Sequence, residues 1–152
     1  APSRARRITR AGDTIVGTTR PGNGSFAYIP HDGLTVSTGF AVLTPRETVY
    51  RDVVHIAATT PENIVRLANL ADGHGGAYPA VKPNEVSDTE LVFPGDATLT
   101  AFAELVSPLR ARAEHAKSES GALTQTRDLL LPKLMSGEIR LRDAEKAVEA
   151  VA

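Results

Sequence analysis

Residues 14–43 read TIVGTTRPGNGSFAYIPHDGLTVSTGFAVL, and this stretch decides the fold class. Thr14 to Thr19 is rich in β-branched residues and reads as a strand. Arg20-Pro21-Gly22-Asn23-Gly24 is a run of turn formers, after which Phe26 to Ile29 resumes extended structure. Thr35 to Leu43 reads as one further strand, with Gly39 as a bulge or a point of close packing. Further along, Thr60 and Pro61 mark a helix start, because threonine caps and proline suits the first helical position. Ile64, Leu67 and Leu70 recur at helical spacing and carry that helix to Ala71. Asp72-Gly73-His74-Gly75-Gly76 is then a flexible loop, and Tyr78 to Val81 and Glu90 to Phe93 supply more extended pieces. Short strands with an inserted helix predict an α+β domain over residues 1–95, with a mixed or antiparallel β-sheet and short helices.

The character changes at Asp96. Phe102, Val106, Leu109, Ala113, Ala116, Ser120, Leu123, Arg127, Leu130 and Leu134 step by four and three in alternation. That is a heptad seam, and it predicts a helix of about 48 Å at the usual rise per residue. Pro108 is expected to kink or restart the helix, and Gly121 offers a second bend. Met135-Ser136-Gly137 stops it, with glycine in the capping position. Arg142 to Val151 is a short amphipathic tail helix, so the expected division is 1–95, 96–136 and 137–152. Two fates fit so narrow a stripe. It packs back on the domain as an ordinary core helix, or it pairs with a second long helix in an antiparallel coiled coil.

Composition removes several classes. Apolar residues at 41% and charged residues at 23% are those of a folded globular chain, not of a disordered one. Without cysteine there is neither a disulfide framework nor a thiolate metal site. No apolar run is long enough to span a membrane, which makes the cytoplasm the default location. The net charge of −1 hides an asymmetry. Residues 1–51 hold seven basic and three acidic residues, and residues 52–152 hold ten and fifteen. A modest basic face at the N-terminal end follows, far short of a protein that wraps DNA unaided.

Candidate chemistry fails on inspection. Gly17 to Gly22 opens like a phosphate-binding loop, but the lysine and the hydroxyl residue that should follow are replaced by Asn23-Gly24. Gly22-x-Gly24-x-x-Ala27 leads into a strand, where a dinucleotide site needs a helix N-terminus. His31, His55, His74 and His115 show no metal-ligand spacing, and the carboxylates form no acid–base pair. No catalytic residue and no metal ligand is assigned. A small hydrolase is the weakest of the functional classes, since no nucleophile has a recognisable base.

The segment Leu123 to Arg140, LTQTRDLLLPKLMSGEIR, resembles the end of the specificity subunits of type I restriction–modification systems. There a leucine-rich helix runs through RD-LLPKL-SGE-R. Gly12 to Ile29, GDTIVGTTRPGNGSFAYI, is similar to that family's GD…TtRPn element. Ser37-Thr38-Gly39-Phe40 matches its StgF strand, and Gly76 to Pro83 looks like the loop before the last strand of a target recognition domain. Phe93-Pro94-Gly95-Asp96 departs from the family's proline pair and acidic-Gln element.

The resemblance implies a target recognition domain followed by a coiled-coil spacer helix, in a non-catalytic subunit that recognises DNA. Whole subunits have two of each, so a piece is expected here, with its recognition domain starting midway at the basic Arg4 to Arg10 stretch. The implied partners are double-stranded DNA and the methyltransferase and restriction subunits, with a homodimer through the long helix as a further expectation. S-adenosylmethionine, ATP and Mg would belong to those partner subunits, leaving this chain without a cofactor. Candidate DNA contacts are Thr19, Arg20 and Asn23 in the first turn, Ser37 and Thr38, and His74, Tyr78 and Lys82 around the glycine loop. Arginine pairs well with guanine and asparagine with adenine, which gives the first turn its weight. Phe102, Val106, Leu109, Leu123, Leu130 and Leu134 are the expected partner-helix residues. The alternative is an oligomerisation or regulatory fragment that binds the methyltransferase subunit without reading DNA.

Overall fold

The computed structural model describes residues 5–140. The chain divides into two units, Ala1–Ser107 and Pro108–Ala152. The first carries strands β1 (Ala5–Ile8), β2 (Thr14–Gly17), β3 (Phe26–Tyr28), β4 (Thr35–Ser37) and β5 (Phe40–Leu43). Helices α1 (Arg51–Thr59), α2 (Pro61–Gly73) and α3 (Pro83–Ser87) follow, and α4 (Asp96–Met135) continues into the second unit.

All strand pairings in the described residues are antiparallel. β2 is the centre of a three-stranded sheet ordered β3-β2-β5, and β1 pairs with β4 in a separate ribbon. Side chains alternate across a strand, so the two faces of β2 enter different clusters. Val16 joins Ala41, Ala58, Leu67, Ala71, Val81 and Val86 on the helical side. Ile15 joins Ile29 and Val36 on the side of the ribbon. Every residue of β2 is therefore buried, which explains a strand with no polar-out alternation.

Several expectations change. The single strand expected over 35–43 is two strands in different sheets, broken at Thr38-Gly39. One local and two long-range bonds hold the break: the Ser37 hydroxyl accepts the Gly39 amide at 3.2 Å, while the Gly39 carbonyl accepts both the amide and the hydroxyl of Thr18, at 2.8 and 2.9 Å. The 14–19 strand ends at Gly17, and beyond it Thr19 makes one antiparallel bridge to Ala80. That bridge is all the pairing found in 78–81, and Glu90 to Phe93 joins no sheet. The helix starting at Pro61 does form, with the Thr60 hydroxyl accepting the Asn63 amide at 3.3 Å. It runs on to Gly73, so the loop begins at His74. Sequence reading passed over β1, α1 and α3.

Helix α4 spans 40 residues and contains both Pro108 and Pro132. Its first three turns belong to the globular unit: Leu99 is 1% exposed, and the Ser107 hydroxyl donates to Asp52 Oδ2 at 2.8 Å. Leu99 lies three residues before Phe102 and so extends the seam one step toward the N-terminus. Phe102 and Val106 are half-buried there. In the second unit Leu109, Leu123 and Leu130 are exposed and Leu134 is half-buried. The helix ends at Met135, two residues before Gly137, whose φ of 74° is the left-handed cap that the sequence called for. The expected tail helix over 142–151 lies outside the described residues. No helix in the described residues is long and apolar enough to cross a membrane.

Candidate nucleic-acid interface

Most of the candidate contacts fall on three adjoining segments held by backbone hydrogen bonds. Thr18–Arg20 is the middle one. On one side it meets the Ser37–Gly39 turn through the two Thr18 bonds to the Gly39 carbonyl. On the other, the Val81 amide donates to the Thr18 carbonyl at 2.9 Å, and the Arg20 amide donates to the Pro79 carbonyl at 2.8 Å. Thr19, Arg20, Asn23, Thr38, His74, Tyr78 and Lys82 are exposed, and Ser37 is half-buried.

The first turn is a 3-10 turn over Pro21–Asn23 entered through Arg20, whose φ of 48° and ψ of 59° are left-handed. Arg20 is the one residue other than glycine with positive φ in the described chain. Its guanidinium sits 5.5 Å from the ring centroid of Tyr78, a side chain 74% exposed. This cation–π pair links the first turn to the glycine loop. Pro21, buried, anchors the turn. A shallow cavity of about 240 Å³ lies between Arg20, Asn23, Asp72 and Pro79.

The glycine loop owes its path to Gly75 and Gly76, at φ 70° and 101°, conformations that a side chain would strain. His74, at its start, reaches two acceptors: Nδ1 lies 3.0 Å from the Ala80 carbonyl oxygen and Nε2 lies 3.1 Å from Glu85 Oε1. Lys82 caps α3, and its amide donates to Glu85 Oε2 at 2.7 Å.

Sequence reading missed the neighbourhood of β1. Pairing with β4 puts Ala5 opposite Ser37, and Arg7 Nη1 donates to the Phe40 carbonyl at 3.3 Å. Strand β1, with Arg6 and Arg7, thus adjoins the Ser37–Gly39 turn. The charge count hinted at a basic face, but only strand pairing says which turn it lies beside. No group of three or more potential metal ligands occurs among the described residues.

A left-handed arginine is costly. Arg20→Gly is expected to raise the stability of the globular unit by up to about 1 kcal/mol, the relieved strain exceeding the entropy that glycine loses on folding. Urea titration reads this directly, and a destabilisation would show that the cation–π pair outweighs the strain.

No protein-family model matches the chain. It is 25% identical over 116 residues to the specificity subunit of the type I restriction enzyme HindI from Haemophilus influenzae, covering 74% of this chain and 25% of that protein. Among solved structures, it is similar to the HsdS subunit from Thermoanaerobacter tengcongensis, at 27% identity and a TM-score of 0.54, over 90% of this chain and 36% of that one. A chain from a structural study of the assembly and conformational transition of a type I R-M system matches at 27% identity and a TM-score of 0.56, over 93% of this chain and 37% of that one. The chain spans about a quarter of the curated relative and just over a third of each solved chain. In sequence and in fold, it is related to the specificity subunits of type I restriction–modification systems.

Proposed function

We propose that the globular unit contacts one half of a split DNA target and that the exposed part of α4 is a spacer that pairs with another long helix. The observation that carries the first half is the convergence of the first turn, the Ser37–Gly39 turn and the Tyr78 loop, beside the basic strand β1. Arg20 and Asn23 then read base edges, and the β1 arginines meet phosphates. This role is recognition without catalysis, in a cytoplasmic complex. Methyltransferase and restriction subunits supply the chemistry together with S-adenosylmethionine, ATP and Mg.

With a net charge of −1, the chain alone is expected to bind DNA weakly and with little sequence preference. Anisotropy of random and target duplexes at two salt concentrations tests this, and nanomolar sequence-specific binding would contradict it. In the assembled complex, Arg20→Ala or Asn23→Ala is expected to cost about 1–3 kcal/mol at one half-site while assembly is retained. Unchanged target methylation in both variants would remove the first turn from the interface. Binding of the methyltransferase with no shift of DNA under any condition would favour the oligomerisation alternative.

A further inference from the structure

Helix α2 has a second face that base reading does not use. Ala68 faces the first turn, whereas Arg66 stands about 200° round the helix from it and lines a groove of about 480 Å³. Val53, Ile56 and Ala57 from α1, with Leu91 and Val92 from the segment after α3, supply the apolar lining. Ile56 and Leu91 are 41% and 44% exposed and Val92 is 89% exposed, an apolar surface left in water. The acidic residues of the groove, Glu62, Asp88 and Glu90, are all exposed. Among the described lining residues Arg66 is the one basic residue, and its guanidinium is engaged. Nε donates to Asn63 Oδ1 at 2.8 Å, and Nη2 donates to the Thr89 hydroxyl at 2.9 Å and to the Glu85 carbonyl at 3.2 Å. Asn63, itself buried, donates to the Ala58 carbonyl at 2.9 Å.

Such a lining suits neither a small molecule nor DNA. A small ligand needs convergent polar groups to fix its orientation, and here the buried ones satisfy each other. A phosphate backbone would meet three carboxylates and an arginine already committed to its neighbours. The complementary ligand is apolar along one face and basic at its edges. We propose that the groove docks an amphipathic helix of a protein partner, its apolar face against Ile56, Leu91 and Val92 and its flanking lysines or arginines beside Glu62, Asp88 and Glu90. The bonds of Arg66 tie α2 to the end of α3 and to Thr89 before anything binds, which keeps the ordering cost of docking low. Because the groove and the first turn lie on different faces of α2, a docked helix leaves the proposed DNA contacts open, and the docking does not depend on them.

The probe is a fluorescein-labelled synthetic helix with leucines at i, i+3, i+4 and i+7 and lysines at the flanking positions, set beside a counterpart with glutamates in place of the lysines. Fluorescence anisotropy with the full chain is expected to show the lysine peptide bound about three- to tenfold more tightly than the glutamate one. Leu91→Ser combined with Val92→Ser, in a segment that joins no sheet, should weaken the lysine peptide about tenfold. Leu34→Ser, at a position 51% exposed just before β4, should leave it bound as in the wild type. Glu62→Lys combined with Glu90→Lys should reverse the preference between the peptides, a result that general adhesion of a leucine face would not give. Circular dichroism checks that each variant folds. Equal binding of the two peptides by the wild type, no binding of either at high micromolar concentration, or equal losses from the paired serine variant and Leu34→Ser overturns the proposal. So does sedimentation equilibrium in which the paired serine variant loses self-association, because the occupant of the groove would then be a second copy of this chain.

Discussion

Leu67→Ala is expected to lower the stability of the globular unit by about 3 kcal/mol, within the span for buried leucines that cannot be repacked. Leu67 is 0% exposed on the inner face of α2. The buried members of its cluster, Ala41, Ala58 and Ala71 beside Val16, Val81 and Val86, are short, which leaves only Leu43 and Leu70 at the margin to lean toward the space. A cavity persists, and its lining loses dispersion contacts in addition to the lost transfer free energy. The protein offers a selective probe for the measurement. Its three tyrosines are Tyr28, Tyr50 and Tyr78 and it has no tryptophan, so tyrosine fluorescence reports the first unit alone. Urea titration of the wild type and Leu67→Ala, with the 58%-exposed Val65→Ala as a control expected within about 0.5 kcal/mol, decides the point. A loss below about 1 kcal/mol would mean that α2 is not packed on the sheet as described. Because Val81 shares this cluster and holds the Tyr78 loop to Thr18, the same variant should also weaken the DNA contact proposed for that loop.

Leu130→Asp is expected to abolish self-association through the long helix. In the second unit Leu109, Leu123 and Leu130 are 66%, 63% and 41% exposed, a stripe of seam positions in water. An isolated helix of this length gains little from local propensity, and burial of an apolar face is the usual source of its stability. Ala113, Ala116 and Ser120 let a partner backbone come close, and the heptad spacing brings the leucines back to that partner at every second turn. Each buried leucine contributes about 1.5–3 kcal/mol, and a symmetric pair loses two of them to one substitution. The dissociation constant should therefore rise at least about a hundredfold. Sedimentation equilibrium over a wide concentration range reads the association, and circular dichroism reads the helix. A wild type that stays monomeric at high micromolar concentration, with helicity unchanged in the variant, would remove the seam as an interface and with it the spacer role.

How far the sequence reached depended on whether the determining interaction was local. Thr60-Pro61 fixed the start of α2, since a hydroxyl cap and a preset φ act within one turn. The 3.5-residue period announced α4, and Gly137 ended it at the expected place, again through local geometry. Turn residues placed the first turn and the limits of β2 to within two residues. The motifs also pointed to the specificity subunits to which the chain is similar in sequence and fold. Tertiary structure alone decided the rest. Nothing local reveals that residues 35–43 divide between two sheets, because the break is completed by Thr18, about twenty positions away in sequence. α1 went unread because its burial, at Asp52 and Ala58, includes a charged residue whose partner is Ser107. Turn chemistry and side-chain type nominate candidate contacts one residue at a time, and which of them adjoin is set by the tertiary structure. Arg20 and Tyr78 meet across 58 residues of chain, and the β1 arginines arrive beside Ser37 by strand pairing. His74 reaches Glu85 across the glycine loop. Hydrogen bonds between distant segments set these neighbourhoods, and such bonds leave no periodic trace in the sequence.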